Sequence, residues 1–490
     1  MGWKRNAALI VVGAVVLTAA VVIYRTESYE PPAAVDLAAV KVAPDVTVDA
    51  AKAAAHLGEA VRFKTISNQN PADNDWTQWD ALHAWLQATY PAAHAAMTRE
   101  VVAGHGLVYT WTGSDPSLAP IVLMAHQDVV PVTPGTEGDW THPPFDGVVA
   151  DDAVWGRGSI DDKGSLVTLF EAAENLATSG FKPRRTVIIV SGHDEERGGT
   201  GAQAAAALIK SRGMTAEWAL DEGLAVIDNF PMVDAPVALV GVGEKGYATL
   251  QITARAVGGH SSAPPKETGV ETLAKAVLAI TGKPYPMRFE GPGAETVKAI
   301  APKAGYVARM AAANGWLFGP LLVKQISATP AGASTLHTTI APTMLKGSPK
   351  ENVLPQDATA WINYRIMPGQ TRESVMADAK RAVGDLPVEL SWGVEGGNPS
   401  PVSSTSSDGW KVIAALASDD GRLTVAPGLV TAATDSRYMT GVAKDVYRFQ
   451  PIIASIDDFA MIHGTDEHIT VGNLERMVRF YQRLIQTAAS

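Results

Sequence analysis

The chain has 490 residues, 46% of them hydrophobic, which is long for one ordinary compact domain and ample for two cores. A formal charge of -11, from 40 Lys+Arg against 51 Asp+Glu, with no dense basic run after the first residues, excludes an electrostatic nucleic-acid footprint. There is no cysteine, so disulfides and thiolate nucleophiles are excluded, and any metal must be held by histidines and carboxylates.

At the N-terminus, Lys4 and Arg5 precede an uncharged run from Asn6 to Tyr24 rich in Ala, Val, Leu and Ile. At about 1.5 Å per residue this run approaches the roughly 30 Å hydrocarbon thickness of a bilayer, so residues 1–25 read as a signal anchor. The basic flank stays cytoplasmic, which puts the remainder outside the cytoplasm, in a periplasm or its equivalent. A cleaved signal peptide is the rival reading and would make the protein secreted. Small residues Thr18, Ala19 and Ala20 close the run, but without a clean A-x-A pattern. A buried core helix is the bland alternative. Residues 26–45, with Pro31, Pro32 and Pro44, read as a tether.

From about residue 46, strand-like apolar runs alternate with helical segments: Ile121 to Ala125, then Gly164 to Ser179, then Thr186 to Val190. This βαβ rhythm predicts an α/β domain with a mostly parallel sheet, whose binding crevice lies at the carboxyl ends of the strands. Past residue 240, Tyr247 to Ala254 alternates as a half-buried strand before the loop Gly258-Gly-His-Ser-Ser262, and Ala358 to Ile366 gives a second strand. The expectation is a catalytic domain over 46–244 and 396–490, interrupted by an α+β lid domain over 245–395. Residues 282–345 contain Pro, Gly and a helical Ala/Met stretch that finds no place in this scheme.

Each of three apolar runs ends in groups able to bind a metal: His126-Gln-Asp128, Asp194-Glu-Glu196 and Asp221-Glu222. A fourth acidic pair, Asp161-Asp162, precedes a helix entry at Lys163. Taken singly each motif is weak, since acidic doublets are normally solvated. Gathered at one dry sheet edge, however, the carboxylates would repel one another unless cations neutralise them, so a site for two divalent ions is the economical reading. Imidazole and carboxylate donors suit zinc, with manganese or cobalt as substitutes. One carboxylate must then bridge two ions roughly 3.5 to 4 Å apart, Asp128 can orient His126, and a surplus acid beside a ligand can take a proton from water.

The ordered set His126-Gln-Asp128, Gly156-Arg-Gly-Ser-Ile-Asp-Asp-Lys-Gly164, Asp194-Glu-Glu196, Leu220-Asp-Glu-Gly223, Gly258-Gly-His-Ser-Ser262 and Ile462-His463 resembles the co-catalytic zinc aminoacylase and carboxypeptidase family of clan MH. Leu317-Phe-Gly-Pro320, Asn352-Val-Leu-Pro355, Asn363-Tyr-Arg-Ile366, Thr434-Asp-Ser-Arg437, Tyr447-Arg-Phe-Gln-Pro451 and Ile462-His-Gly464 look like its carboxypeptidase S and N-fatty-acyl-amino-acid hydrolase branch. The similarity covers about residues 50–488 and leaves out the N-terminal run.

This resemblance implies that Asp161 bridges two zinc ions and is joined to Asp162 by a cis peptide. His126 and Asp221 would complete one ion, and Glu196 and His463 the other. Glu195 would be the general base and Asp128 the group that orients His126. In the lid, His260 would donate to the developing oxyanion, Arg365 would hold a substrate carboxylate, and Asn352 would join them in substrate binding. Asp435 and Arg437 match a motif without an assigned role. Carboxypeptidase action on small peptides is the first expectation and hydrolysis of N-acyl amino acids the second. A non-catalytic envelope protein that binds metal or peptide is the remote third, and it would have no need of Glu195. The resemblance allows a homodimer through the lid or a monomer with extra structure.

Overall fold

The computed structural model describes residues 2–36, 39–233 and 235–490. The chain divides into two compact units, one of residues 1–31, 243–402 and 429–433 and a larger one of residues 32–242, 403–428 and 434–490.

The larger unit is built on an eight-stranded mixed sheet. Its strands run in the order Thr98–Val102, Gly106–Trp111, Val187–Ser191, Ile121–Met124, Ala216–Ile227, Ala443–Ala454, Val237–Glu244 and Thr424–Val430. The four central strands, from Val187–Ser191 to Ala443–Ala454, are mutually parallel. Both faces of this centre are covered, which explains why the strands read as unbroken apolar runs. Successive side chains point to opposite faces. Thus Leu123, Val187, Ile189 and Leu220 enter a core shared with helices Lys163–Thr178 and Val471–Ala489, and Val122, Ile188, Val190 and Ala219 meet helix Thr200–Ser211 on the other face. Fully burying one such aliphatic side chain contributes about 1.5–3 kcal/mol, so the sheet centre is the rigid part of the unit.

Within residues 26–45, expected as a tether, Ala33, Val35, Val42 and Ala43 lie against this unit. The Trp410 Nε1 donates to Ala33 O, Arg483 Nε donates to Ala43 O, and Val35 and Val42 pack on the main core. The proline-rich composition that suggested a spacer also suits an extended strap whose backbone groups are taken up by neighbouring side chains.

The second unit contains a four-stranded antiparallel sheet in the order Thr339–Lys346, Asp357–Ile366, Gly246–Arg255, Val388–Gly397. Strand Gly246–Arg255 alternates buried and half-buried residues, as its sequence pattern predicts. Its inward residues Leu250, Ile252 and Ala254 pack with Ile362 and Tyr364 against helices Gly269–Thr281 and Arg372–Val383. The first of these helices begins with a full capping box from Thr268 and Glu271. The unplaced segment forms four helices, Gly291–Ile300, Tyr306–Ala313, Gly315–Ile326 and Pro330–Ser334. The N-terminal helix Gly2–Glu27 belongs to the same unit, and it is long and apolar enough to cross a membrane.

Candidate metal centre

Three parallel strands deliver the centre of the larger unit. Ile121–Met124 leads into His126 and Asp128, Val187–Ser191 leads into Glu195 and Glu196, and Asp221 and Glu222 lie within Ala216–Ile227. Asp161 and Asp162, joined by a cis peptide, stand at the start of helix Lys163–Thr178. The turn before them needs glycine: Gly158 has φ +88°, and a Cβ there would lie 2.6 Å from Val129 Cγ1.

Asp161 organises the cluster. Its Oδ1 is 2.9 Å from His126 Nε2 and its Oδ2 is 3.1 Å from His463 Nε2, so each oxygen faces a different imidazole. Glu196 Oε1 lies 3.1 Å from His463 Nε2, and Glu222 Oε1 lies 3.5 Å from His126 Nε2. Two overlapping donor groups result, His126 with Asp161 and Glu196, and His126 with Glu195 and Glu222.

Asp128 is fully buried and holds three things at once. Its Oδ1 accepts the Glu195 N–H at 3.1 Å and lies 3.3 Å from His126 Nδ1, and its Oδ2 accepts the Glu196 N–H at 3.2 Å. The backbone carbonyl of Asp128, 3.0 Å from His126 Nδ1, is the nearer partner for the ring, so carbonyl and carboxylate together orient the imidazole.

Electrostatics follow from burial. Desolvation pushes the Glu195 and Glu196 carboxyls above their ordinary range, raises Asp221 to about 6 and raises Glu222 to about 8. Burial also opposes the charged form of His126, but hydrogen bonds to Asp128, Asp161 and Glu222 outweigh it and hold the imidazole well above its usual value. Hydrogen bonds to Asp161 and Glu196 raise His463 to about 10. Against the cost of burial, hydrogen bonds from the same two histidines hold Asp161 below the ordinary carboxylate range, while the neighbouring acids are costly to ionise without further positive charge. Divalent cations fit this donor set, and no thiolate is needed.

The sequence-derived residues His126, Asp128, Asp161, Glu195, Glu196 and His463 are therefore gathered in one place. Asp221 is adjacent, but its Oδ2 accepts the Ser436 N–H at 2.7 Å, and the carboxylate nearest His126 on this strand is Glu222. His260, Asn352 and Arg365 belong to the second unit. There His260 pairs with Val353 on a short two-stranded ladder, and the Ser261 N–H donates to Asn352 O, so His260 and Asn352 are neighbours. The Arg365 guanidinium lies over the Tyr247 ring at 4.7 Å, and burial lowers its pKa. Beside it is a group the sequence reading missed, Lys245, buried and lowered to about 8 by desolvation and then by the Arg365 charge. Its position two residues before Tyr247, on the chain entering that strand, was the available signal.

Glu467 was missed by the sequence reading, and Asp435 was singled out there without a role. Glu467 is fully buried, accepts Arg157 Nη1 at 2.6 Å, and takes the N–H groups of Ile160 at 2.9 Å and Asp161 at 3.1 Å, thereby fixing the backbone that presents Asp161. Asp435 is buried, burial pushes its carboxyl up, and neither oxygen has a hydrogen-bond partner among the described residues. It is bracketed by glycines: a Cβ at Gly192 or at Gly199 would come within 2.1 Å of one of its oxygens.

A sheet edge that gathers imidazoles and carboxylates around one shared aspartate is the equipment of a metal-dependent hydrolase. The chain belongs to peptidase family M20/M25/M40, which matches residues 122–487, and it is a hydrolase acting on amide bonds. It is 34% identical over 443 residues to the probable carboxypeptidase S-like 2 of Dictyostelium discoideum, covering 88% of this chain and 84% of that protein. It is 38% identical over 438 residues to human N-fatty-acyl-amino acid synthase/hydrolase PM20D1, covering 88% and 86% respectively. Among solved structures, the M20 family metallo-carboxypeptidase Sso-CP2 from Sulfolobus solfataricus aligns with TM-score 0.64 at 16% identity, over 90% of this chain and 99% of that one. Human carnosine dipeptidase 1 aligns with TM-score 0.60 at 14% identity, over 89% and 96%. These two likenesses speak to the fold.

Proposed function

We propose that the protein is a two-zinc hydrolase that cleaves the amide bond of an amino acid bearing a free carboxylate, releasing that amino acid from the end of a small peptide. The observation that carries this reading is Asp161, with a histidine on each carboxylate oxygen and a second acid beside each histidine. His126, Asp161 and Asp221 would hold one ion and His463, Asp161 and Glu196 the other, with manganese or cobalt able to substitute. Asp221 Oδ2 accepts the Ser436 N–H, and a ligating carboxylate is normally hydrogen-bonded in this way. Ions held there supply Lewis-acid polarisation of the scissile carbonyl and a water of lowered pKa.

Glu195 then takes the proton of the attacking water and passes it to the leaving amine nitrogen, its backbone fixed by Asp128. The second unit acts as the lid. His260 donates to the oxyanion as it develops, and Asn352 and Arg365 bind substrate, with the guanidinium taking the carboxylate in a two-donor fork.

A second reading, hydrolysis of N-acyl amino acids, is favoured by the apolar N-terminal helix, which as an uncleaved anchor would keep the catalytic part extracytoplasmic at a membrane surface where acyl chains partition. The human relative's name points the same way. Purified, metal-loaded protein assayed on matched dipeptides and N-acyl amino acids, each with its C-terminal amide, tests both readings. Turnover of acids and failure on amides is expected. Binding for hours without turnover of any member would overturn the hydrolytic assignment.

A further inference from the structure

The helical insert of the second unit meets the N-terminal helix, and two contacts fix how. Arg309 lies 3.9 Å from Glu27, at the end of the N-terminal helix, whereas Asn314 Nδ2 donates to Val22 O at 3.2 Å and to Thr26 Oγ1 at 3.3 Å. Helix Tyr306–Ala313 therefore runs antiparallel to Gly2–Glu27, and its C-terminal end is the end nearer the apolar stretch. Thr26 and Asn314 are completely buried, so this is a packed polar junction.

Below the junction the N-terminal helix is largely exposed, Leu9, Val12, Val16 and Leu17 included. From Trp3 to Val21 it projects about 28 Å at 1.5 Å per residue, against roughly 30 Å of bilayer hydrocarbon. If that stretch spans a bilayer, the outer edge of the hydrocarbon falls at Val21 and Val22, level with Asn314. The next helix, Gly315–Ile326, starts at this depth. Its first two turns expose Trp316 (56%), Leu317 (43%) and Leu321 (59%), its third turn exposes Lys324 and Gln325, and Gly319 and Leu322 face inward. An exposed tryptophan at the headgroup level, with exposed leucines beside it and a lysine one turn further on, is the composition of a membrane-interface contact.

We propose that the Asn314 turn and the first two turns of Gly315–Ile326 sit in the outer headgroup region of the bilayer that the N-terminal helix crosses, giving the second unit its own peripheral membrane contact. The proposal rests on the anchor reading of residues 1–25. The occupant is the bilayer because the apolar face continues, through a buried junction, from a helix whose free length matches the hydrocarbon.

The absence of cysteine makes the test clean, because each introduced cysteine is the sole labelling site. Full-length protein is reconstituted in phosphatidylcholine vesicles with a polarity-sensitive fluorophore at Trp316→Cys, Leu321→Cys, Val12→Cys or Ser211→Cys. Quenching is measured with shallow and with deep nitroxide-labelled phosphatidylcholine and with aqueous iodide. Labels at 316 and 321 should be quenched by the lipid nitroxide and about fivefold less by iodide than the label at 211. Lipid quenching at 12 with iodide access at 316 and 321 equal to that at 211 would overturn the surface and leave the anchor standing. Absence of lipid quenching at 12 would remove the anchor and the proposal with it. Shielding of 316 and 321 from lipid and aqueous quenchers alike would put a second copy of the chain on this face, which also overturns the proposal.

Discussion

Asp128→Asn tests how the centre is held together, because one buried carboxylate serves the His126 ring and the backbone of both Glu195 and Glu196. An amide can keep one oxygen toward Glu195 N–H and His126 Nδ1, but it then turns its NH2 toward Glu196 N–H, a donor facing a donor. The variant loses one hydrogen bond to a charged acceptor, worth about 1.5–3 kcal/mol, and weakens the others by removing the charge. If that energy is expressed in the transition state, kcat/KM should fall roughly 10- to 150-fold. Loosening the orienting partner of His126 should lower metal affinity about 10- to 100-fold as well. Chelator competition measures the affinity, kcat/KM is measured at saturating metal, and urea unfolding of the apo and loaded forms shows whether the loss is local or global. Metal affinity and kcat/KM both within twofold of the parent would refute the view that Asp128 ties ligand and base into one unit. A fall in stability with unchanged metal affinity would make it a structural residue only.

Glu195→Gln should retain both ions by metal analysis and lose about 10²- to 10⁴-fold in kcat, since the amide preserves shape without basicity, and loss of an ion would reassign Glu195 as a ligand. Arg365→Ala should lower kcat/KM roughly 10- to 150-fold on free acids and barely change it on the matching amides, with lysine recovering only part because it lacks the planar fork. Equal losses on acids and amides would shift the carboxylate clamp to Arg437. Asp221→Asn should lose one equivalent of metal and Glu222→Gln should keep both, and the reverse pattern would move the ligand one residue along the strand.

Much of the centre is legible in the sequence because its donors follow apolar strand runs directly, and strand ends in a parallel sheet converge. His126, Glu195 and Glu196 needed only that rule and the resemblance, whereas Asp161 stands at a helix entry and takes its role from the resemblance. Glu467, and its pairing with Arg157, stayed hidden because the contact spans 310 positions and neither residue ends an apolar run. Choosing between Asp221 and Glu222 depends on which way each side chain turns at an irregular point of the strand, where the register with Ala443–Ala454 shifts between Arg448 and Phe449. Residues 282–345 defeated the pattern reading because their helices serve two surfaces. Gly315–Ile326 buries Gly319 and Leu322 and exposes Trp316 and Leu321, so apolar residues fall on both sides and no amphipathic period emerges. Pro31, Pro32 and Pro44 signal turns and irregular chain, which cannot by themselves foretell contacts such as those of Ala33 and Ala43 with the larger unit.

The two glycines that clasp Asp435 impose a limit on how this enzyme can diversify. A methyl at 192 or 199 would come within 2.1 Å of an oxygen of this buried carboxylate, and at 199 the backbone, with φ +67°, also disfavours any L side chain. Adaptation to new substrates is thereby barred from positions 192 and 199, on the chain either side of Glu195, and left to loops that can accept mass. A library randomised across this loop should return glycine at both positions among its active members, whatever substrate is used to select it.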